Sequence, residues 1–465
     1  MFRRSLTLTR RTIQSSQNLF KNSARAYSTE ATAAPKRNWK AIALWSAAFL
    51  YFTPSAYAYF VLGYDTDTLI AESAEKYRLL QFIHDERQKD PEHKVSMYQI
   101  MKKFFRKEKL EAFAVDKYPT FSANNKSLLR KYLTEDMFDE LKDAQTPSGF
   151  GFSSIIKSGV LNGDAGIGVY IPEAAAYDTF APLLNNIIKD YHQGYNPETA
   201  QHVQDFNPAH LRGNNPDPEG KYIISTRIRV GRNLEGYPLA TGQSRKDRQD
   251  IERKVVGALQ SLGGDLSGKY YPLNFMSEDD RQKLVNDHFL FKNNDRHLEV
   301  AGAYRDWPEG RGIYHSNDKR FLVWINEEDE LRIISMQMGG NVREVFERLS
   351  KAVYTLENRL RFQYDDHLGY IASCPTNLGT AMRASVHVKI PLVSKQDNFK
   401  QWCEEHGLSV RGIHGEHTES EGGVYDISNK RRLGLSEVDC VQTMYDGVSD
   451  LIQWEKQLEA QQDRQ

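Results

Sequence analysis

A run of 24 residues without a charged side chain, residues 41–64, most limits what this 465-residue chain can become. It holds Trp45, Phe49, Tyr51, Phe52, Tyr57, Tyr59 and Phe60. As a helix it rises about 36 Å, enough to cross a hydrocarbon core of roughly 30 Å. Pro54 would kink such a helix, which membrane spans tolerate. Lys36, Arg37 and Lys40 flank one end, and Asp65 and Asp67 the other. The alternative is an apolar sorting signal that is cleaved off, leaving a soluble protein. Residues 1–30 are rich in Arg, Ser and Thr, with no acid before Glu30. Phe2, Leu6, Leu8, Ile13 and Leu19 could form an apolar face. That is the composition of a mitochondrial transit peptide, with a basic arm for acidic lipid or RNA as the alternative. Together these features predict an inner-membrane protein with its N-terminus in the matrix and its body in the intermembrane space, by the bias of basic flanks.

The body has the opposite charge to its leader. Nine of the 61 basic residues and one of the 62 acids fall in residues 1–40, so 52 basic and 61 acidic residues remain beyond, a net of −9. This argues against nucleic acid as a partner of the folded part. Residues 66–112 read as a charged helical stalk, with Ile70, Ala74, Tyr77, Leu80 and Ile83 near helical spacing. Its basic run, Lys102, Lys103, Arg106, Lys107 and Lys109, reads as a solvated face, with a surface for anionic lipid as the alternative. From 127 to 191 the pattern is mostly helical, with Ser127 as a cap before Leu128. Residues 195–220, with Pro197, Pro208, Pro216 and Pro218, read as an interdomain linker. Tyr222-Ile223-Ile224-Ser225-Thr226-Arg227-Ile228-Arg229-Val230 then reads as a strand, with Arg227 and Arg229 on one face. Two arginines on one face repel unless an anion lies between them, with a solvated face as the alternative. Phe321-Leu322-Val323-Trp324-Ile325 reads as a buried strand running into Glu327, Glu328 and Asp329.

Only three cysteines are present, Cys374, Cys403 and Cys440, at no metal or disulfide spacing. Cys374 opens Cys374-Pro375-Thr376-Asn377-Leu378-Gly379-Thr380, with Arg383 and His387 following. Its neighbours are turn-formers, and Thr376 with nearby N–H groups could depress the pKa of its thiolate. A buried structural cysteine beside a tight turn is the competing reading. Arg383 could grip a phosphate as a bidentate fork.

The stretch from Cys374 to Thr380, followed by Arg383-Ala384-Ser385-Val386-His387, resembles the signature of the phosphagen (ATP:guanidino) kinases. The resemblance runs from about Phe113 to Lys456. It implies an α+β fold: a small all-helical domain over residues 113–200, then a larger catalytic domain over 221–460 with an antiparallel sheet flanked by helices. Transit peptide (1–30), membrane helix (41–64) and stalk (66–112) would precede them. It implies a clamp on the ATP phosphates by Arg227, Arg229, Arg332, Arg383 and Arg411. Ser225, Thr226, Ile228, His288, Ala384, Ser385, Val386, His387, Gly412, Ile413, His414, Gly415 and Glu416 would complete the nucleotide site. Glu328 and Glu416 would orient a guanidinium facing Cys374, and either carboxylate could take a proton. Gly166, Ile167, Gly168, Val169 and Tyr170 belong to a glycine-rich loop that would receive the acceptor's carboxylate on its N–H groups. Asp164 and Arg296 match a pair that links the two domains. Mg²⁺ would arrive with ATP or ADP, held chiefly by phosphates and water.

Phosphoryl transfer needs alignment and charge stabilisation more than covalent chemistry, which suits so many arginines. No P-loop and no protein-kinase glycine loop is present. The short loop and Glu416 imply L-arginine as the acceptor over creatine. Another guanidine such as taurocyamine is the nearest alternative. A catalytically silent subunit of a mitochondrial membrane complex is the alternative from another class. Ala165, Glu330 and His414 depart from the family pattern, the last two bearing on nucleotide affinity. The loop around residues 411–429 looks like one that closes on substrate.

Overall fold

The computed structural model describes residues 66–89, 94–111, 113–286, 289–412 and 422–463. The leader, the charge-free run 41–64, His288, Ile413, His414, Gly415 and Glu416 lie outside the described residues. Among the described residues no helix is long and apolar enough to cross a membrane. The chain divides into two compact units, residues 1–108 and 109–465.

In the first unit, helix Thr66–Lys89 is followed by helix Met97–Glu111, which runs across the boundary. The two turn back on each other. Phe82 meets Phe104 edge-on at 5.5 Å between ring centres, and Lys103 Nζ lies 2.8 Å from the Glu86 carboxylate. Ile100 and Phe104 are buried, at the i, i+4 spacing that puts them on one face.

The second unit opens with short helices Leu128–Tyr132, Glu135–Leu141, Phe152–Leu161, Ala176–Thr179 and Ala181–Tyr191. Caps set their starts: the Ser127 side chain accepts from the Arg130 N–H, and Thr134 from Met137. Their core is built from Leu129, Phe138, Phe152, Ile155, Phe180 and Leu184, and it takes in Ile371, Leu378 and Leu433 from later in the chain.

Ten strands follow among the described residues: β1 (Ile223–Arg232), β2 (Gly268–Pro272), β3 (Gly312–Ser316), β4 (Phe321–Ile325), β5 (Leu331–Met338), β6 (Tyr364–Asp365), β7 (Gly369–Tyr370), β8 (Met382–Lys389), β9 (Leu408–Arg411) and β10 (Val424–Asn429). Eight of them form one sheet in the order β2-β3-β4-β5-β1-β8-β10-β9, every neighbouring pair antiparallel. Helices Arg245–Leu259, Val342–Glu357 and Glu437–Gln462 supply the apolar side of the core, packing with Ile228, Val230, Val323, Ile333, Ala384 and Val386. Burying an aliphatic or aromatic side chain of this kind is worth about 1.5–3 kcal/mol. The helical part and the antiparallel sheet flanked by helices match the expectation from sequence.

The stretch read as a linker differs from that expectation. Residues 195–220 are pinned to the catalytic part. Phe206 is buried against Phe346, at 5.4 Å between ring centres. The Asp217 carboxylate accepts the Tyr222 and Ile223 N–H groups, each at 2.7 Å, and so starts β1. Arg343 Nη1 donates to the Pro208 carbonyl at 2.6 Å. Proline and polar composition cannot distinguish a loose spacer from a strap whose carbonyls are taken by distant side chains.

Two buried histidines should make this fold acid-sensitive. His192 Nε2 donates to the Pro375 carbonyl at 2.9 Å, joining the helical part to the Cys374 turn. Burial, reinforced by Arg432 and Arg431, outweighs that bond and holds His192 down to about 3. Burial and then Arg232 hold His202 down to about 4. Both pKa values are depressed below the usual ~6.5, so the unfolded chain binds the proton first. Their contribution is therefore complete above ~6.5 and is lost as pH falls toward about 3 to 4. Each should cost about 1.4 kcal/mol per pH unit below ~6.5. Urea midpoints should fall between about pH 7.5 and 5.5, and less steeply in His192→Gln. An unchanged slope in that variant would contradict the assignment.

Candidate active site

Strand register assembles the site. Residues directly paired across antiparallel strands share a face. Along β1 and β8, Ser225 pairs with His387, Arg227 with Ser385 and Arg229 with Arg383. On the other side of β1, Gly231 pairs with Arg332 and Arg229 with Ile334. His387 then pairs with Asp426, and Asp426 with Arg411. Arg227, Arg229, Arg332, Arg383 and Arg411 therefore occupy one face of a four-strand span plus its edge, with Ser225, Ser385 and His387 among them. Trp324, paired with Arg332, borders this face, and its ring centre lies 5.3 Å from the Arg227 guanidinium carbon.

The same register divides the side chains within the runs expected to bind nucleotide. Ile228, Ala384 and Val386 belong to the apolar core on the opposite face, and the Thr226 hydroxyl donates to the Gly339 carbonyl at 2.8 Å. With a side-chain period of two, those four can reach a ligand on the arginine face only through the backbone. His288, Ile413, His414, Gly415 and Glu416 lie outside the described residues, and Arg411 and Gly412 end the segment before them.

The arginines differ in how their charge is met. Arg332 Nη1 lies 2.7 Å from Glu327, its Nη2 donates to Glu328, and its Nε lies 3.6 Å from Asp329. Burial alone would lower the Arg332 pKa, but these three carboxylates outweigh it and raise it. Arg383 Nη2 donates to Asp426 at 2.8 Å. Burial opposes the charge on Asp426, yet Arg383 holds its pKa below the ordinary value. Arg227 is the contrast: its Nε and Nη2 are buried without a hydrogen-bond partner. Burial, then Arg383, lowers Arg227 to about 10. Burial followed by repulsion from Arg332, Arg227 and Arg383 takes Arg229 well below its usual value. Clustered cations whose pKa values are pushed down are the electrostatic mark of a site made for a polyanion.

Cys374 precedes a single 3-10 turn, Pro375–Asn377, as its turn-forming neighbours predict. Gly379, at φ +87°, is required two residues further on, because a Cβ there would sit 2.3 Å from the Arg432 carbonyl oxygen. Cys374 Sγ lies 3.2 Å from the Thr376 hydroxyl. The expected lowering of its pKa is reversed in this structure. Burial, then the Glu328 carboxylate, pushes the thiol up to about 12 against the Thr376 hydrogen bonds. Turn chemistry supplies donors, but the chain cannot show in advance that the turn will be buried beside a carboxylate.

That carboxylate is held from behind. Arg432 Nη1 donates to Asn377 Oδ1, and Asn377 Nδ2 donates to Glu328 Oε1 at 3.2 Å. The chain Arg432–Asn377–Glu328 fixes one oxygen of Glu328 while Arg332 holds the other. Asn377→Ala should leave Glu328 held by Arg332 alone, lowering kcat/KM about tenfold, the worth of one hydrogen bond to a charged group. A steady-state assay in which the variant matches the parent would rule out this positioning role.

The glycine-rich loop turns its carbonyls inward. Gly166, Ile167 and Gly168 accept from the N–H groups of Leu128, Leu129 and Gly159, at 2.9, 3.0 and 2.9 Å. Their own N–H groups, and that of Val169, are not spent in the backbone hydrogen bonds of the described residues. Buried Ala165 stands at the loop's start, and the hydroxyl-free side chain leaves these backbone groups as they are. Tyr170 is mostly enclosed near Cys374 and Glu328, its pKa raised by burial and then by those two groups. Asp164 and Arg296 form an ion pair that ties this loop to helix Arg296–Ala301 of the catalytic part.

Sequence reasoning missed Asp426, the Arg432–Asn377 brace and Trp324. Asp426 lies 43 residues from its partner, so only a strand pairing connects them. Glu330, the departure from pattern, is fully buried and accepts from the Leu234 N–H at 2.8 Å and Gln243 Nε2 at 3.1 Å. Burial raises its pKa well above the ordinary value, and its bonds serve the β1 exit rather than the arginine face.

Comparison with known proteins agrees with this geometry. Residues 250–458 match the family described as ATP:guanido phosphotransferase, C-terminal catalytic domain, and residues 123–189 match its N-terminal domain. An arginine kinase of Anthopleura japonica is 58% identical over 334 residues, 71% of this chain and 47% of that protein. Arginine kinase Lit v 2 of Penaeus vannamei is 51% identical over 334 residues, 72% of this chain and 94% of that protein. The match thus spans about half of the first relative and nearly all of the second. Among solved structures, the substrate-free duplicated taurocyamine kinase from Schistosoma mansoni superposes with a TM-score of 0.68 at 44% identity, covering 72% of this chain and 47% of that one. Lombricine kinase gives 0.69 at 38% identity, covering 74% and 95%. Both of the family's domains, the arginine face and the Cys374 turn are thus accounted for in one sequence, and the chain belongs to the ATP:guanido phosphotransferase family.

Proposed function

We propose that the protein is an arginine kinase, transferring the γ-phosphoryl group of ATP reversibly to the guanidinium of L-arginine to give phosphoarginine and ADP. The observation that carries this reading is one sheet face of five arginines with Glu328 and Cys374 at its rim. Arg227, Arg229, Arg332, Arg383 and Arg411 would take the nucleotide phosphates, exchanging mutual repulsion for a polyanion. Glu328 and Glu416 would align the guanidinium in the plane of their carboxylates, beside Cys374. A cation seated there would offset the Glu328 charge and favour the Cys374 thiolate. The N–H groups of Gly166, Ile167, Gly168 and Val169 would receive the α-carboxylate. Residues 113–200 would form the guanidine-binding domain and residues 221–460 the nucleotide-binding one. Holding both substrates in line can contribute about 7–11 kcal/mol.

Mg²⁺ would come with the nucleotide. Among the described residues no group of three or more His, Cys, Asp and Glu side chains could hold a resident metal. Phosphates and water would carry Mg²⁺, and Glu327, 2.7 Å from Arg332, would reach that water shell. The relatives' printed names support arginine as the acceptor, while taurocyamine is the acceptor to exclude. The deciding measurement is kcat/KM for arginine, taurocyamine, creatine and glycocyamine. A tenfold preference for a non-arginine guanidine would overturn the choice of acceptor and leave the reaction class standing.

Residues 1–30 and 41–64 support a place in the mitochondrial inner membrane with the kinase facing the intermembrane space. There it would draw on ATP leaving the matrix for energy buffering, alone or with a mitochondrial membrane complex. Protease added to mitochondria with ruptured outer membranes should digest residues 109–465, and protection would place them in the matrix.

A further inference from the structure

Helix Met97–Glu111 presents a face that its own unit does not cover. Ile100 and Phe104 are buried, and at 100° per residue the opposite side carries Tyr98, Lys102 and Phe105. Tyr98 is 70% exposed and Phe105 52% exposed. Large aromatics at i and i+7 with a lysine between them at i+4 form a stripe along the helix. With Lys102, the helix sequence has Lys103, Arg106, Lys107 and Lys109 against Glu108 and Glu111, a net charge of +3 in a chain that is acidic beyond residue 40. Fifteen helical residues cannot span a bilayer, but they can lie on one. Solvation alone explains the lysines and leaves the aromatics unexplained. An acidic protein surface would suit the charge, but exposed rings spaced between lysines match the headgroup layer, where aromatic bodies sit among anionic lipids. The 24-residue charge-free run ends 33 residues before Met97, which keeps this helix within reach of a membrane.

We propose that the Tyr98–Lys102–Phe105 face of this helix docks on an anionic bilayer surface. The proposal is independent of the kinase reading, and it draws on residues 41–64 only for nearness to a membrane. It concerns how the segment ahead of the catalytic unit is held to the lipid.

The test uses the full chain carrying Phe105→Cys labelled with an environment-sensitive dye. Cys374, Cys403 and Cys440 are buried and spare the native protein from labelling elsewhere. The control position is Phe275→Cys, at a residue 84% exposed in the second unit. Both proteins are placed in phosphatidylcholine vesicles with and without about a third of anionic phosphatidylglycerol. Emission at position 105 should rise at least about twofold on the anionic vesicles alone. It should fall back in about 0.5 M salt and in Lys102→Glu, while the control stays constant. Equal emission on both vesicle types would overturn the proposal, leaving only whatever the charge-free run does. A matching rise at position 275 would mean whole-protein adsorption and would also overturn it. A rise without lipid that follows protein concentration would make a second copy of the chain the occupant instead.

Discussion

Arg229→Met should lower kcat by about 10²–10³-fold, the scale for losing one preorganised charge donor, without lowering the thermal midpoint of the ligand-free protein. Both halves follow from the same environment. Burial and three neighbouring arginines, Arg332, Arg227 and Arg383, push the Arg229 pKa well below its ordinary value, so the resting fold carries this charge at a cost. A methionine of similar volume keeps the packing and removes the repulsion. A residue that costs stability at rest and is repaid when phosphate arrives should therefore trade activity for stability. Differential scanning fluorimetry and turnover, measured on one preparation, check both. A variant with near-normal turnover, or one that melts well below the parent without ligand, would sink the phosphate-clamp account of Arg229.

Glu328→Gln should cost about 2–5 kcal/mol in kcat/KM for arginine, or about 30-fold to several thousandfold, while ADP affinity changes little. The loss is that of leaving a guanidinium facing a neutral amide in a partly desolvated pocket. ADP should be spared because Arg332, the clamp residue that Glu328 also touches, keeps Glu327 at 2.7 Å and Asp329 at 3.6 Å. The Asn377 donor, 3.2 Å from Oε1, can keep the amide oxygen of the substituted side chain, while its NH2 replaces the oxygen that accepts from Arg332. The variant therefore removes the charge together with the Arg332 contact. Equilibrium binding of ADP and initial rates with arginine separate the two. A loss of ADP affinity as large as the loss in kcat/KM would make Glu328 a strut of the nucleotide clamp.

Much of this protein is determined by local pattern. Alternation at Arg227-Ile228-Arg229-Val230 decides that two arginines share a face, because the strand period is two and its apolar residues must face the helices. Ser127 and Thr134 start helices because each offers an oxygen to orphan N–H groups within three residues. Gly379 marks a turn that no side chain could enter, and Cys374 lies beside a turn for the same local reasons. The two-part α+β architecture and the family both follow from such signals. The tertiary structure decided what depends on distant partners. Register sets Asp426 opposite His387 and Arg411, where the Arg383 side chain reaches it along the same face, and sends Thr226, Ile228, Ala384 and Val386 to the other face. The strap 195–220 is fixed by Arg343, Phe346 and its own Asp217, none of which its prolines announce. Cys374 has hydrogen-bond donors close in sequence, but its charge state is set by burial and by Glu328, 46 residues away in the chain. Composition and spacing report on a few neighbouring residues, whereas a pKa or an ion pair depends on what the fold packs against them.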